Sequence, residues 1–143
     1  MEYIRVTKEN LEQEHICCAI SNNKDVQVSS KKAWLAERFD EGLVFLKSVE
    51  RGKCFIEYIP AENAWNPIDA DGYMYIDCLW VSGSFKGHGY AKELLSECEK
   101  WAKDKKCSEF ASDCELDNID SLRFHMAMGF EEANRIICFK KNI

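Results

Sequence analysis

Apolar positions follow two rhythms along this chain, and the change from one to the other predicts its elements. Gly42 to Val49 and Lys53 to Ile59 are short, mostly apolar runs, parted by Glu50-Arg51-Gly52. Polar residues with a glycine between two such runs predict a hairpin. Tyr73 to Trp80 is an aromatic and apolar run that predicts a buried strand. After it, Ala91, Leu94, Leu95, Cys98 and Ala102 recur at steps of three and four, the spacing of a helix with one buried face. Tyr3 to Thr7 alternates and predicts a short strand. Thr7 is a suitable cap for a helix through Ala19, with Leu11, Ile16, Cys18 and Ala19 as a partial stripe. Ser29 or Ser30 is expected to cap a second helix, Lys31 to Phe39, which ends at Asp40-Glu41-Gly42. Cys107 to Ser112 reads as a strand, and Asp117 or Asn118 caps a helix that stops at Gly129. Phe130 to Phe139 is expected to return as a final strand. The predicted order is β-α-α-β-β-β-α-β-α-β, which fits a mixed sheet with helices on both faces.

Composition narrows the function classes. With 143 residues, 46% apolar and 31% charged, the chain is expected to form one globular domain, residues 1–143. No run of about 18 apolar residues occurs, so no membrane span or membrane partner is expected. Met1-Glu2-Tyr3-Ile4-Arg5 has no secretory character, and a cytoplasmic location is expected. The formal net charge is −6 with no basic stripe, which argues against a nucleic-acid partner and favours a cationic one. The eight cysteines include no C-x-x-C and no zinc-like Cys/His spacing. They read as reduced packing residues, and no metal is expected.

The chemistry gathers behind the central strand, at Val81-Ser82-Gly83-Ser84-Phe85-Lys86-Gly87-His88-Gly89-Tyr90-Ala91. A strand, a glycine-punctuated turn and a helix start together offer free main-chain N–H groups to phosphate oxygens. The dinucleotide G-x-G-x-x-G and the P-loop Gly-Lys-Ser/Thr are both missing. Lys86-x-x-Gly89-x-Ala91 resembles instead the Arg/Gln-x-x-Gly-x-Gly/Ala signature of the GCN5-related N-acetyltransferases (GNAT superfamily), with Lys in place of Arg/Gln. Asn118-x-x-Ser121-x-x-Phe124-His125-x-x-x-Gly129-Phe130 is similar to that family's second motif. The two motifs stand in the family's order, and the likeness covers the whole chain.

This resemblance implies the GNAT fold, an α/β (α+β) architecture around a mixed, mostly antiparallel sheet. It also implies acetyl-CoA as co-substrate and acetyl transfer to a primary amine by direct attack on the thioester. The cofactor residues it implies are Leu79, Trp80, Val81, Lys86, Gly87, His88, Gly89, Tyr90, Ala91, Asn118, Ser121 and Phe124. Residues 101–103, 109–113, 116–118 and 139–143 resemble aminoglycoside 6′-N-acetyltransferases, while residues 57–65 and 76–91 resemble YoaP-type acetyltransferases.

Acetyl transfer to an amine needs an unprotonated nitrogen, donors for the developing oxyanion and a proton for the leaving thiolate. The resemblance implies the backbone N–H of Trp80 as oxyanion donor. Asp77, in an apolar strand, is the expected base, with burial raising its affinity for a proton. The other reading, of equal weight, is that it only orients a cationic acceptor or points to solvent. Glu57 and Glu62 are further carboxylates on the neighbouring strand and loop. His125 stands where the family commonly has Tyr, and an imidazole can protonate a thiolate; a packing role on its helix is the other reading. Cys78 has no base near it in sequence and is not expected to be a nucleophile. His15 reads as a helix-surface residue. The expected acceptor is a small cationic amine, aminoglycosides foremost. A peptide or protein amine, a non-catalytic acyl-CoA-binding domain and a nucleotide-binding domain remain as alternatives, and the protein is expected to be a monomer or homodimer.

Overall fold

The computed structural model describes all of residues 1–143. They form two compact units, Met1–Asp113 and Cys114–Ile143. The first holds β1 (Tyr3–Val6), α1 (Val26–Arg38), β2 (Val44–Ser48), β3 (Cys54–Pro60), β4 (Tyr73–Val81), α2 (Tyr90–Asp104) and β5 (Glu109–Ser112). The second holds α3 (Ile119–Ala127). The five strands lie in sequence order in one sheet. The β1–β2, β2–β3 and β3–β4 pairs are antiparallel, and β4–β5 is parallel, joined through α2. This is the mixed, mostly antiparallel α+β sheet expected. No helix is long and apolar enough to cross a membrane.

The central strand β3 is buried along almost its full length, which explains its unbroken apolar run. Phe45, Phe55 and Ile59 pack with Val28 and Leu35 of α1 in one cluster. Leu94, Leu95, Cys98 and Ala102, the predicted stripe of α2, are all buried.

Between β3 and β4 the register slips. Glu57 is opposite Cys78 and Tyr58 is opposite Ile76, so Asp77 is the extra residue of a bulge. The slip reverses the pleat. Before it, Tyr73 and Tyr75 join the α1-side cluster; after it, Cys78 and Trp80 do.

Three expected elements differ. No helix spans residues 7–19; these residues form turns. Asn10 Oδ1 accepts the Thr7 amide at 2.8 Å, as at a helix start, and the Leu11 amide bonds the Thr7 carbonyl at 2.9 Å, but this turn is not continued. Lys32 Nζ on the Glu12 carbonyl (2.6 Å) and Lys47 Nζ on Glu14 Oε2 (2.7 Å) fix the segment in that form. His15 is accordingly buried against Asn23 rather than on a helix surface. The first helix begins earlier than expected, at Val26, because Asp25 caps it through the Gln27 amide. Residues 130–139 form no strand. Glu132 and Arg135 pair with each other there, a contact across three residues that an extended strand does not allow.

Gly42 turns the chain from the end of α1 into β2 with φ +92°, and a Cβ there would stand 3.2 Å from Pro60 Cγ and Cδ. Gly42→Ala is therefore expected to cost about 1–3 kcal/mol. A thermal melt followed by circular dichroism checks this; an unchanged midpoint would contradict it.

Candidate active site

Along β4, pairing with β5 runs only from Tyr73–Glu109 to Ile76–Ser112. Beyond the unpaired Asp77, Cys78 to Val81 pair with β3 alone. The expected residues Leu79, Trp80 and Val81 lie in this half, with the Trp80 ring 5.3 Å from Phe55. Gly83–Phe85 then makes a 3₁₀ turn, and α2 starts at Tyr90 behind Gly89. Gly89 has φ +84° and gives α2 no side-chain cap. The first helical bond of α2 goes from the Glu93 amide to the Gly89 carbonyl, so the amides of Tyr90, Ala91 and Lys92 have no acceptor inside the helix. Gly87 (φ +81°) and Gly89 both face open space where a Cβ would be. Three amides at a helix start beside such a cradle suit phosphate oxygens. Lys86 and His88 are exposed at its rim. His88 Nδ1 lies 3.1 and 3.0 Å from the Phe85 and Lys86 carbonyls and its ring stacks on Tyr90, so that nitrogen is engaged in shaping the turn.

One strand away lies an ionisable group that sequence alone did not place first. Glu57 is 1% exposed, and Lys31 Nζ of α1 stands 2.9 Å from its Oε2. The same ammonium lies 5.7 and 5.9 Å from the Phe45 and Phe55 ring centres. Glu57 is also hydrogen-bonded to Asp77, which the bulge brings beside it. Burial pushes the Glu57 carboxyl up to about 7; Lys31 opposes this and the bond to Asp77 adds to it. Burial would lower Lys31, but the charge and hydrogen bond of Glu57 outweigh it and the ammonium is held above its ordinary range. Near neutrality Glu57 is thus poised between its protonated and ionised forms, beside a fixed positive charge.

Asp77 itself is exposed, which corrects the expectation that burial acts on it. The bulge displaces it from the regular pleat, and Glu57 is the carboxyl that desolvation reaches. Glu62 has a different occupation: bonds from its own amide and from Gly72 N–H (2.7 Å) hold it below the usual carboxylate range. Burial pushes the Cys78 thiol up to about 12, so it stays protonated and is no nucleophile.

The loop between β3 and β4 is anchored on the same face. Asn66 Nδ2 donates to the Tyr75 hydroxyl and, at 3.1 Å, to Asp113 Oδ2, while Tyr75 donates to Asp113 Oδ1 at 2.7 Å. Trp65 meets Trp34 of α1 edge-on at 5.6 Å.

In the second unit, Asn118 caps α3 by accepting the Ser121 amide at 3.2 Å. His125 Nδ1 lies 2.8 Å from the Ser121 carbonyl and 3.3 Å from Ser121 Oγ, and its ring meets Phe124 and Phe130 edge-on. Asn118, Ser121, Phe124 and His125 are therefore gathered on the first two turns of one helix. The Lys31–Glu57 contact joins residues 26 apart in sequence. Its only sequence signals were a Glu inside an apolar strand and a Lys on the helix packed over it.

The sequence model of the Acetyltransferase (GNAT) family matches residues 8–130. Uncharacterized N-acetyltransferase YoaP of Bacillus subtilis (strain 168) is 55% identical over 104 residues, covering 72% of this chain and 41% of that protein. The chain thus spans about two fifths of that relative's length. Aminoglycoside N(6')-acetyltransferase type 1 of Acinetobacter baumannii is 28% identical over 127 residues, 89% of this chain and 87% of that protein. Among solved structures, AAC(6')-Iy in complex with the bisubstrate analog CoA-S-monomethyl-acetylneamine superposes with a TM-score of 0.73 at 22% identity, over 99% of this chain and 98% of that one. With the sheet, the turn behind β4 and the matched residues taken together, this chain belongs to the acetyltransferase (GNAT) family.

Proposed function

We propose that the protein is an acetyl-CoA-dependent N-acetyltransferase whose acceptor is a small cationic amine, an amino-sugar of the aminoglycoside kind in particular. The observation that carries this reading is the Glu57–Asp77 carboxyl pair, set on the half of β4 that β5 leaves uncovered. The A. baumannii aminoglycoside relative, matched over most of both chains, supports the acceptor class. A net charge of −6 favours a cation arriving from solution.

When bound, acetyl-CoA supplies an acetyl group activated as a thioester. The amides of Tyr90, Ala91 and Lys92, with the turn Lys86-Gly87-His88-Gly89, hold its pyrophosphate. An amine reaches the protein as an ammonium and is unreactive until it loses a proton. Asp77, exposed on the bulge, attracts the ammonium and takes that proton directly or through one water. Glu57, which the bulge sets beside Asp77, adds negative charge when ionised, and Lys31 balances it. The Trp80 main-chain N–H, the expected donor, faces β3: Ser82 N–H bonds the Lys53 carbonyl, and Trp80 stands two residues along, opposite Phe55. The N–H groups of Leu79 and Val81 turn away from β3 and stabilise the negative charge that develops on the acetyl oxygen. Water protonates the leaving thiolate.

The test is thiol release from acetyl-CoA across amino-sugars, polyamines and peptides. Release with amino-sugars supports the reading, and release with none of these amines refutes it. Gly89→Val is expected to weaken acetyl-CoA binding about ten-fold or more, since it strains a left-handed residue and places methyl groups in the phosphate cradle. Calorimetric titration measures this; an unchanged Kd would remove the pyrophosphate from this turn.

A further inference from the structure

Trp65 stands in the loop between β3 and β4 with 69% of its surface exposed. Such a side chain is normally mobile, but this one is held. Trp34 meets it at 5.6 Å with the ring planes at 83°, and the Arg38 guanidinium lies 4.9 Å from its centre. Its neighbour Asn66 is bonded to Tyr75 and Asp113, and Glu62 bonds the Gly72 amide to close the loop at its base. The indole is therefore both open and fixed, so little freedom is left to lose when a ligand settles on it.

Its position relates it to the carboxyl pair. Trp34 is one helical turn from Lys31 on α1, and Lys31 reaches Glu57. Tyr75, which receives the Asn66 bond, is two residues before Asp77 and packs on the α1 side of the sheet. An indole offers a flat, electron-rich face to the C–H bonds of a saturated ring and to ammonium groups on it. A linear polyamine or an extended peptide presents no such flat apolar face.

We propose that Trp65 is the platform on which the ring of an amino-sugar acceptor lies while one of its amines reaches Asp77, making this residue a determinant of acceptor choice. This rests on the acetyltransferase reading above and adds to it that ring-bearing amines are selected over linear ones.

The experiment compares neamine with spermidine as acceptors for the full chain, by thiol release from acetyl-CoA and by calorimetric binding of each amine. Trp65→Ala is expected to raise the KM and Kd for neamine about ten-fold, as the loss of one stacked aromatic contact does. The spermidine kinetics, the KM for acetyl-CoA and the thermal midpoint stay unchanged, and Trp65→Phe restores most of the neamine affinity. If neamine is acetylated and Trp65→Ala leaves its KM unchanged, the platform is wrong and the acetyltransferase reading stands. An equal rise for both amines likewise overturns the platform. If spermidine is acetylated and neamine is neither acetylated nor bound, the amino-sugar reading falls and takes the platform with it.

Discussion

Asp77→Asn is expected to lower kcat for acetyl transfer by about 10²- to 10⁴-fold, the usual contribution of a positioned proton acceptor. The acetyl-CoA Kd should be unchanged, because the phosphate turn begins only after Val81. The substitution keeps the side-chain volume and leaves a partner for the bond to Glu57. What it removes is the exposed negative charge that attracts an ammonium and takes its proton. With Glu57 held near 7, transfer by the unsubstituted protein should rise with pH through that region as the Glu57 proton leaves. In Glu57→Gln this step in the pH–rate profile should vanish. Steady-state kinetics from pH 5 to 9 decide the matter. Full activity in Asp77→Asn would move the proton acceptor elsewhere.

Lys31→Met should be the most destabilising exchange outside the apolar core. Taking one partner from a buried ion pair leaves the other uncompensated, at a cost of about 3–5 kcal/mol. The cost should be largest at pH 8, where Glu57 is ionised, and should shrink toward pH 5, where the carboxyl is protonated and needs no counter-charge. Glu57 also gives the unsubstituted protein a pH dependence of known sign. Its folded-state value lies above the ordinary 4.5, so its stabilising contribution is complete below that value and is lost as pH rises through about 7. That interval corresponds to about 3 kcal/mol. Lys31, also raised, loses its contribution only on the alkaline side of its ordinary 10.5, outside this window. Denaturant unfolding at pH 5, 6, 7 and 8 should therefore show falling stability, and Glu57→Gln should flatten the trend. A Lys31→Met protein as stable at pH 8 as at pH 5 would contradict the role given to the pair.

Much of this was legible in the sequence because it is local. The stripe of α2, the hairpin at Glu50-Arg51-Gly52 and the glycine turn before Tyr90 each lie within a few residues, and each stands where spacing put it. Asn118 as the cap of α3 follows the same logic. The misreadings are cases where a local rule met a stronger competitor. Thr7 has the chemistry of a cap and starts one turn, yet Lys32 and Lys47 bond the chain at Glu12 and Glu14 and the segment stays irregular. The run from Phe130 to Phe139 has strand composition, but Glu132 and Arg135 close on each other instead. Non-local facts were out of reach. Alternation cannot reveal that one residue of β4 is unpaired, because that depends on the register of β3. A reading that put Asp77 in the strand interior was therefore right about the strand and wrong about the burial.

The slip at Asp77 has a consequence for how this protein tolerates change in length. Tyr73 and Tyr75 upstream and Cys78 and Trp80 downstream face α1 only because one position between them is out of phase. Removing any single residue from Ile76 to Cys78 would repair the pairing while turning half the strand inside out, sending either Tyr73 and Tyr75 or Cys78 and Trp80 toward α2. Side-chain replacements along β4 are thus a lesser disturbance than a one-codon deletion, which would act on the protein much as a frameshift acts on a gene.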